Sequence, residues 1–423
     1  MLKASSILSF VIIVATCALP TTATDIQRRF RLLADDATAG DGYGDSVAVS
    51  GNIVIIGAND DDDQGDMSGS AYLVDVATGD QLFKLTASDG AVSRQFGLSS
   101  DIDGNTAVVG TLSAGGVYVF DTTTGTQLRK IVASDGSGFD ERFGYTVALS
   151  GSLVAVGAHF DSPSGNRSGS AFLFDAQTGT QLHKFIPNDG DALDEFGTSV
   201  AVDGNTVIVG APWADPLANA SGAAYLFNAT TGAQIAKLIP TDGTANDRFG
   251  TSVDIHGNFA VVGAERAEFN GRESGAAYVF DVSTGTQIRK LLRDPSDLAF
   301  DFGYDSGIHG NLAVVGAFGD STLGPQSGAA FIFDVTTGEQ IAKLLPDSGD
   351  IEGRFGTSVG ISAESIIVGS DQSDIAGNVA GSAYLFAIVP EPGSTVLLLS
   401  AALFACFTIR VRLVYVAGAH SVS

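Results

Sequence analysis

Phe249-Gly250-Thr251-Ser252-Val253-Asp254-Ile255-His256-Gly257-Asn258-Phe259-Ala260-Val261-Val262-Gly263-Ala264 holds two strand patterns and the turn between them. Residues 251–255 alternate small or polar with apolar side chains, the period of a half-buried strand. His256-Gly257-Asn258 is a tight turn. Residues 259–264 are a continuous apolar run, suited to a strand buried on both faces. A polar loop over residues 265–273 leads to a third strand, Gly275-Ala276-Ala277-Tyr278-Val279-Phe280. Asp281-Val282-Ser283-Thr284-Gly285 turns the chain, with Asp bonding its own backbone and Gly free to take positive φ. Gln287-Ile288-Arg289-Lys290-Leu291 reads as a fourth, more polar strand.

The Phe-Gly pair that opens this stretch returns along the chain. Its aromatic stands at Tyr43, Phe96, Phe143, Phe196, Phe249, Phe302 and Phe355, in steps of 53 residues with a single step of 47. A long regular period is the mark of a propeller, solenoid or array. Seven units of four short strands predict an all-β fold, a seven-bladed β-propeller of four-stranded blades. The inner strands are the most apolar and the fourth is the most charged, which discourages edge pairing. Gly57, Gly110, Gly157, Gly210, Gly263, Gly316 and Gly369 end the second strand of each copy, where neighbouring blades approach closely. Seven copies of one aromatic column indicate scaffold, and the rings are expected as wedges between blades.

The last copy stops at Ala383-Tyr384-Leu385-Phe386 and lacks its fourth strand. Arg28-Arg29-Phe30-Arg31-Leu32-Leu33, followed by Asp35-Asp36 and Gly42-Tyr43-Gly44, carries the pattern of Gln181-Leu182-His183-Lys184-Phe185 through Asp189 to Phe196-Gly197. The N-terminal segment is therefore expected to supply the outer strand of the seventh blade and close the ring. Turns after strands one and three are short and uniform. Turns after strands two and four are long and variable, and they fall on the opposite face, where binding on a rigid scaffold usually resides.

The repeat resembles the FG-GAP repeat of the integrin α-chain head, in its bacterial extracellular form. The Phe-Gly pairs, Gly210-Ala211-Pro212, Gly157-Ala158, Gly263-Ala264 and third-strand runs such as Ala224-Tyr225-Leu226-Phe227 carry the likeness, over residues 26–388. The resemblance implies a seven-bladed propeller used for adhesion or ligand binding. Integrin-type repeats also hold an Asp-x-Asp-x-Asp-Gly calcium loop between strands one and two. Here that place holds Ser150-Gly151-Ser152, Asp203-Gly204-Asn205, His256-Gly257-Asn258 or His309-Gly310-Asn311, with too few oxygen ligands for calcium.

The two ends read as export signals flanking a domain of residues 24–388. Residues 1–23 look like a signal peptide: Lys3, an apolar stretch over 7–19, and Thr21-Thr22-Ala23 as a cleavage site. Residues 389–423 resemble a PEP-CTERM sorting signal, with Pro390, Glu391 and Pro392 before an apolar run and then Arg410 and Arg412. That likeness implies an exosortase-type processing enzyme, transient membrane insertion of the C-terminal segment, and a bacterial cell surface or extracellular matrix as destination. An ordinary C-terminal anchor is the other reading. Cys17 and Cys406 are the only cysteines and lie in these end segments, so the domain has no disulfide framework.

Net charge is −26, and residues 24–389 carry 19 basic against 47 acidic side chains. Such a surface repels nucleic acid and anionic lipid and suits a soluble extracellular monomer. No phosphate loop, zinc spacing or nucleophile elbow is present, and no cofactor is required. The acidic loops are the candidate metal residues: Asp60, Asp61, Asp62, Asp63 and Asp66 in one group, Asp189, Asp191 and Asp194 in another. Hard oxygen ligands at such spacing suit calcium; the plain alternative is turns and solvated surface. Trp213 and Pro212, in the long loop of the fourth copy, and His159, in that of the third, are the candidate ligand contacts. The expected function is non-enzymatic binding of extracellular polysaccharide or a surface protein through the long-loop face. A polymer-degrading enzyme using loop carboxylates and a passive matrix component are the alternatives.

Overall fold

Blade four shows how the sequence builds one unit. Its strands are Ser199–Asp203, Thr206–Ala211, Ala223–Asn228 and Gln234–Leu238. They pair antiparallel in chain order, with Val200 opposite Val209, Val209 opposite Tyr225 and Tyr225 opposite Lys237. The β-branched run Thr206-Val207-Ile208-Val209 suits a pleated surface covered on both sides. A shift of register between Leu226 and Phe227 bulges the outer pair and increases its twist.

The computed structural model describes residues 24–90, 94–112, 116–136, 141–269, 271–294, 300–347, 351–374 and 379–390. Among them stand seven four-stranded antiparallel sheets, and the propeller occupies Ile26–Ile388. The expected signal peptide, Glu391 and Pro392 lie outside the described residues; Pro390 ends the last described strand, Ser382–Pro390. Among the described residues, no helix is long and apolar enough to cross a membrane. In the long loop of blade five, read from sequence as irregular, Glu268–Phe269 and Arg272–Glu273 pair as a small hairpin.

Polarity across a blade differs from the expected inner-to-outer gradient. The second and third strands are the fully buried ones, while the first strand mixes buried and half-exposed residues. The reason is geometric. The first strand lines the central channel, so its half-exposed side chains meet water rather than another sheet.

Each core cluster spans two neighbouring blades. Phe196 is fully buried with Ala171, Leu173 and Phe185 of blade three and Val209, Tyr225 and Phe227 of blade four. Its ring sits edge-on to Tyr225 and Phe227 at 5.5 and 5.8 Å, the favoured aromatic arrangement. Gly210 is held by contact: a Cβ there would lie 2.1 Å from the carbonyl oxygen of Gly250 in the next blade. Ser199 donates its hydroxyl to that carbonyl at 2.9 Å. Ser46, Ser99, Ser252 and Ser358 make the equivalent bond to the next blade, the last crossing the ring seam to the carbonyl of Gly44 at 2.7 Å.

The N-terminal strand Thr24–Leu32 completes the seventh sheet by pairing beside Ser382–Pro390. Leu32 is buried with Tyr43 and Leu385. Arg28 lies 5.2 Å from the centre of the Tyr384 ring and pairs with Asp347 of the preceding loop, as does Arg31 at 3.1 Å. Closure by this strand leaves no open edge in the ring.

Candidate functional site

The channel widens at the long-loop end into a funnel of about 750 Å³. Trp213, Pro212 and His159, drawn from two different loops, all line it. Trp213 is 39% exposed, whereas His159 is buried at 3%. Tyr145 and Phe160 flank His159, with ring centres 4.3 and 4.4 Å away. Burial first, and then the charges of Arg142 and Arg167, push the His159 pKa down to about 3, so it is neutral at physiological pH.

Sequence reading passes over a set of repeat positions, three of which, Arg142, Glu195 and Arg248, line this mouth. They stand immediately before each Phe-Gly pair: Gln95, Arg142, Glu195, Arg248, Asp301 and Arg354. All six take a left-handed backbone, with φ between 45° and 60°; in the first copy the place is held by Gly42. A non-glycine residue there costs roughly 1–2 kcal/mol. The signal in the sequence is the alternation of sign, Arg142, Glu195, Arg248, Asp301, Arg354, at the repeat stride.

These residues build three similar groups. Arg248 lies over Trp213 at 4.2 Å and donates to Glu265 at 2.8 Å. Arg167 lies over Phe160 at 3.6 Å and pairs with Glu195 at 2.6 Å. Arg354 lies over Phe318 at 4.7 Å and pairs with Asp371 at 3.0 Å, and Phe318 packs edge-on to Tyr304 of the funnel wall. Each guanidinium is oriented by an aromatic face and a carboxylate. Burial raises the Glu195 pKa despite the nearby arginines. Asp45, also on the wall, is pushed up to about 8 by burial and by the charges of Asp371 and Asp60.

Below the mouth, Asp101 and Asp254 stand at the waist and line the cavities at both ends of the channel. Each accepts the N–H of its own following residue and one from the next blade, Leu149 for Asp101 and Ile308 for Asp254. Burial outweighs those bonds and raises both to about 7. They act as staples between blades. His256 and His309 lie at the opposite opening with ring centres 4.2 Å apart and planes tilted by 46°, and His183 packs on the turn of blade four.

The acidic-loop residues do not converge on one site. Asp61 and Asp63, with Asp36 from the preceding loop, surround the ammonium of Lys84, whose Nζ is within 2.8 Å of a carboxylate oxygen of each. Asp60 accepts from Gln95, Asp62 accepts the N–H of Met67, and Asp66 is exposed. Asp189 pairs with Lys237, Asp191 is exposed, and Asp194 is buried as a turn cap accepting the N–H of Asp191. The three-carboxylate group is matched to an ammonium, and with Lys84 in place it does not offer the six to eight free oxygens that calcium takes.

The Lys84 arrangement recurs. Lys130, Lys184, Lys237 and Lys290 each lie 5.0–5.2 Å from the ring centre of a third-strand aromatic and pair with Asp89, Asp135, Asp189 and Asp242. A feature repeated blade after blade belongs to the scaffold. The funnel mouth, by contrast, differs from blade to blade.

A comparison with curated proteins finds no match. The FG-GAP repeat family matches seven times, over residues 28–74, 80–120, 126–174, 180–227, 233–280, 288–333 and 339–386. Each matched unit starts at an outer strand and ends at the third strand of the next blade, so the repeat in sequence straddles two blades in space, and the chain belongs to the FG-GAP repeat family.

Proposed function

We propose that this chain is an exported, non-catalytic binding propeller that recognises extracellular polysaccharide through the funnel mouth. One observation carries the reading: two aromatic–guanidinium–carboxylate groups, Trp213–Arg248–Glu265 and Phe160–Arg167–Glu195, line one concave opening. Paired planar groups present donors and acceptors at fixed spacing, which matches the neighbouring hydroxyls of a sugar ring, and aromatic faces cover its C–H face. Orientation before binding lowers the entropy cost of the contact. A surface protein is the other partner class for such a face. The signal-peptide pattern over residues 1–23 and the Pro390-Glu391-Pro392 tail support export and exosortase-type processing at a bacterial surface or matrix. Binding in this reading needs no cofactor.

Electrophoresis of the purified chain through gels containing defined polysaccharides tests it. Retardation by at least one polymer, relieved by Trp213→Ala, is the expected result. Unchanged mobility across neutral and acidic polymers would refute carbohydrate recognition.

A hydrolase reading has one observation in its favour. Asp45 lies in the funnel with a pKa raised to about 8, so a protonated carboxyl faces the ligand space near Asp371. Release of new reducing ends from a bound polymer, abolished by Asp45→Asn, would establish it.

A further inference from the structure

We infer that blade three carries a subsite for a carboxylate-bearing sugar unit, with Arg142, held against the Phe160 ring, as its charged contact. The inference rests on the carbohydrate reading above and names the kind of sugar.

The three arginines that line the mouth, Arg142, Arg167 and Arg248, are not equivalent. Arg167 and Arg248 hold a carboxylate at 2.6 and 2.8 Å. Arg142 forms no ion pair among the described residues. Its guanidinium lies 4.2 Å from the centre of Phe160 and 5.9 Å from that of Tyr145, and the side chain lines the funnel half-buried. In a chain of net charge −26, a guanidinium that lines a cavity and forms no ion pair among the described residues is conspicuous.

A second group beside it also lacks a partner. His159 lines the same wall, is 3% exposed, and its Nδ1 has no hydrogen-bond partner. Buried polar atoms are rarely left so. Phe160 touches both sides of this arrangement: it packs against His159 and carries Arg142 and Arg167. A ligand carboxylate in front of Arg142 supplies the ion-pair partner that this guanidinium lacks among the described residues. A guanidinium meets a carboxylate through two parallel N–H bonds, so the contact orients as well as attracts. The sugar ring to which that carboxylate belongs then lies toward the Arg167–Glu195 pair, which presents donors and an acceptor for its hydroxyls.

The negative surface does not forbid this. The rim carboxylates Asp89, Asp135, Asp189 and Asp242 each pair with a lysine. The remaining long-range repulsion is screened beyond about 8 Å at physiological salt. Affinity for an acidic polymer should therefore rise as salt is raised from low to physiological, and fall only at higher salt, where the Arg142 contact itself is screened.

The test uses the full chain and three probes: a polyuronate, the same polymer after carboxyl reduction to its neutral form, and the free monomeric uronate. Titration calorimetry should show the polyuronate binding about tenfold tighter than its reduced form, the worth of one charge-assisted contact. Arg142→Gln should erase that preference, so that the charged and the reduced polymer bind with equal affinity. Arg142→Lys should restore part of it. Binding of the monomer with similar affinity per sugar would identify a free sugar acid as sufficient ligand; binding of the polymer alone would identify the chain. Either supports the subsite. Equal affinity for the charged and reduced polymers, or a preference that survives Arg142→Gln, would overturn it while leaving carbohydrate recognition intact. If neither polymer bound, the carbohydrate reading would fall with it.

Discussion

Arg248 lies over the indole of Trp213 with its guanidinium carbon 4.2 Å from the ring centre. The two come from successive copies of the repeat, and Glu265 holds the arginine in place at 2.8 Å. Trp213 thus brings a cation with it, and the exposed part of the ring and the outer edge of the guanidinium form one surface. Trp213→Ala should cost little stability, roughly 0.5–1 kcal/mol for an exposed cation–π pair. Its effect on polysaccharide binding should be larger and should not add to that of Arg248→Gln. A double-mutant cycle by calorimetry measures the coupling, and full additivity would show that the two act separately.

Ring closure depends on the N-terminal strand. Removing residues 25–34 takes away Leu32 from the core, Arg28 and Arg31 from Asp347, and the outer partner of Ser382–Pro390. The last blade would then present an unpaired edge. A sharp fall in melting temperature with concentration-dependent association is expected by calorimetry and light scattering. An unchanged melt would mean that the other six blades hold the ring without it.

Lys84 fixes how the chain responds to calcium. Its side chain is 19% exposed and faces Asp61, which is 4% exposed. Lys84→Met should destabilise by about 2–3 kcal/mol, less than a fully buried pair because Asp36 and Asp63 are open to water. Calcium and EDTA should leave the melting temperature of the unaltered chain in place. Calcium should raise that of Lys84→Met, since three carboxylates then lack a counter-charge. A large calcium shift in the unaltered chain would show cation binding with the lysine present.

Stability should rise on acidification across the neutral range. Burial raises Asp45 to about 8, Asp101 and Asp254 to about 7, and Asp305 and Asp371 to about 6, from an ordinary 3.8. Between pH 4 and 8 the unfolded chain releases these protons while the folded chain keeps them. The unfolded state then binds fewer protons, and stability falls as pH rises. Carboxylates held low, such as Asp89 at about 2, act in the opposite sense only below about pH 4. Asp45, Asp101, Asp254 and Asp305 line the open channel, which moderates the effect. The melting temperature should therefore be higher at pH 5 than at pH 8, and Asp45→Asn should flatten the upper part of the curve. A melting temperature that rose from pH 5 to 8 would contradict this assignment.

Much of the architecture is legible in the chain because each blade is made from contacts close in sequence. Strand alternation, the Asp-x-x-Thr-Gly turns and the Phe-Gly stride all act within one repeat or between neighbours. Phe196 finds Tyr225 and Phe227 within its own copy, and Gly210 meets Gly250 one copy on. Even closure by residues 24–32 is readable, as a missing strand at one end and a spare at the other.

The site belongs to the tertiary structure. Asp61, Asp63 and Lys84 look like an acidic run and a strand lysine until the blade folds them, with Asp36, into one ion cluster. His159, Trp213 and Tyr304 stand far apart in the chain and meet only because seven blades turn their inner strands toward one axis. That convergence depends on how many blades close the ring, a property no single repeat contains. The charge before most Phe-Gly pairs is written in the sequence; that Arg142, Glu195 and Arg248 line one funnel is decided by closure.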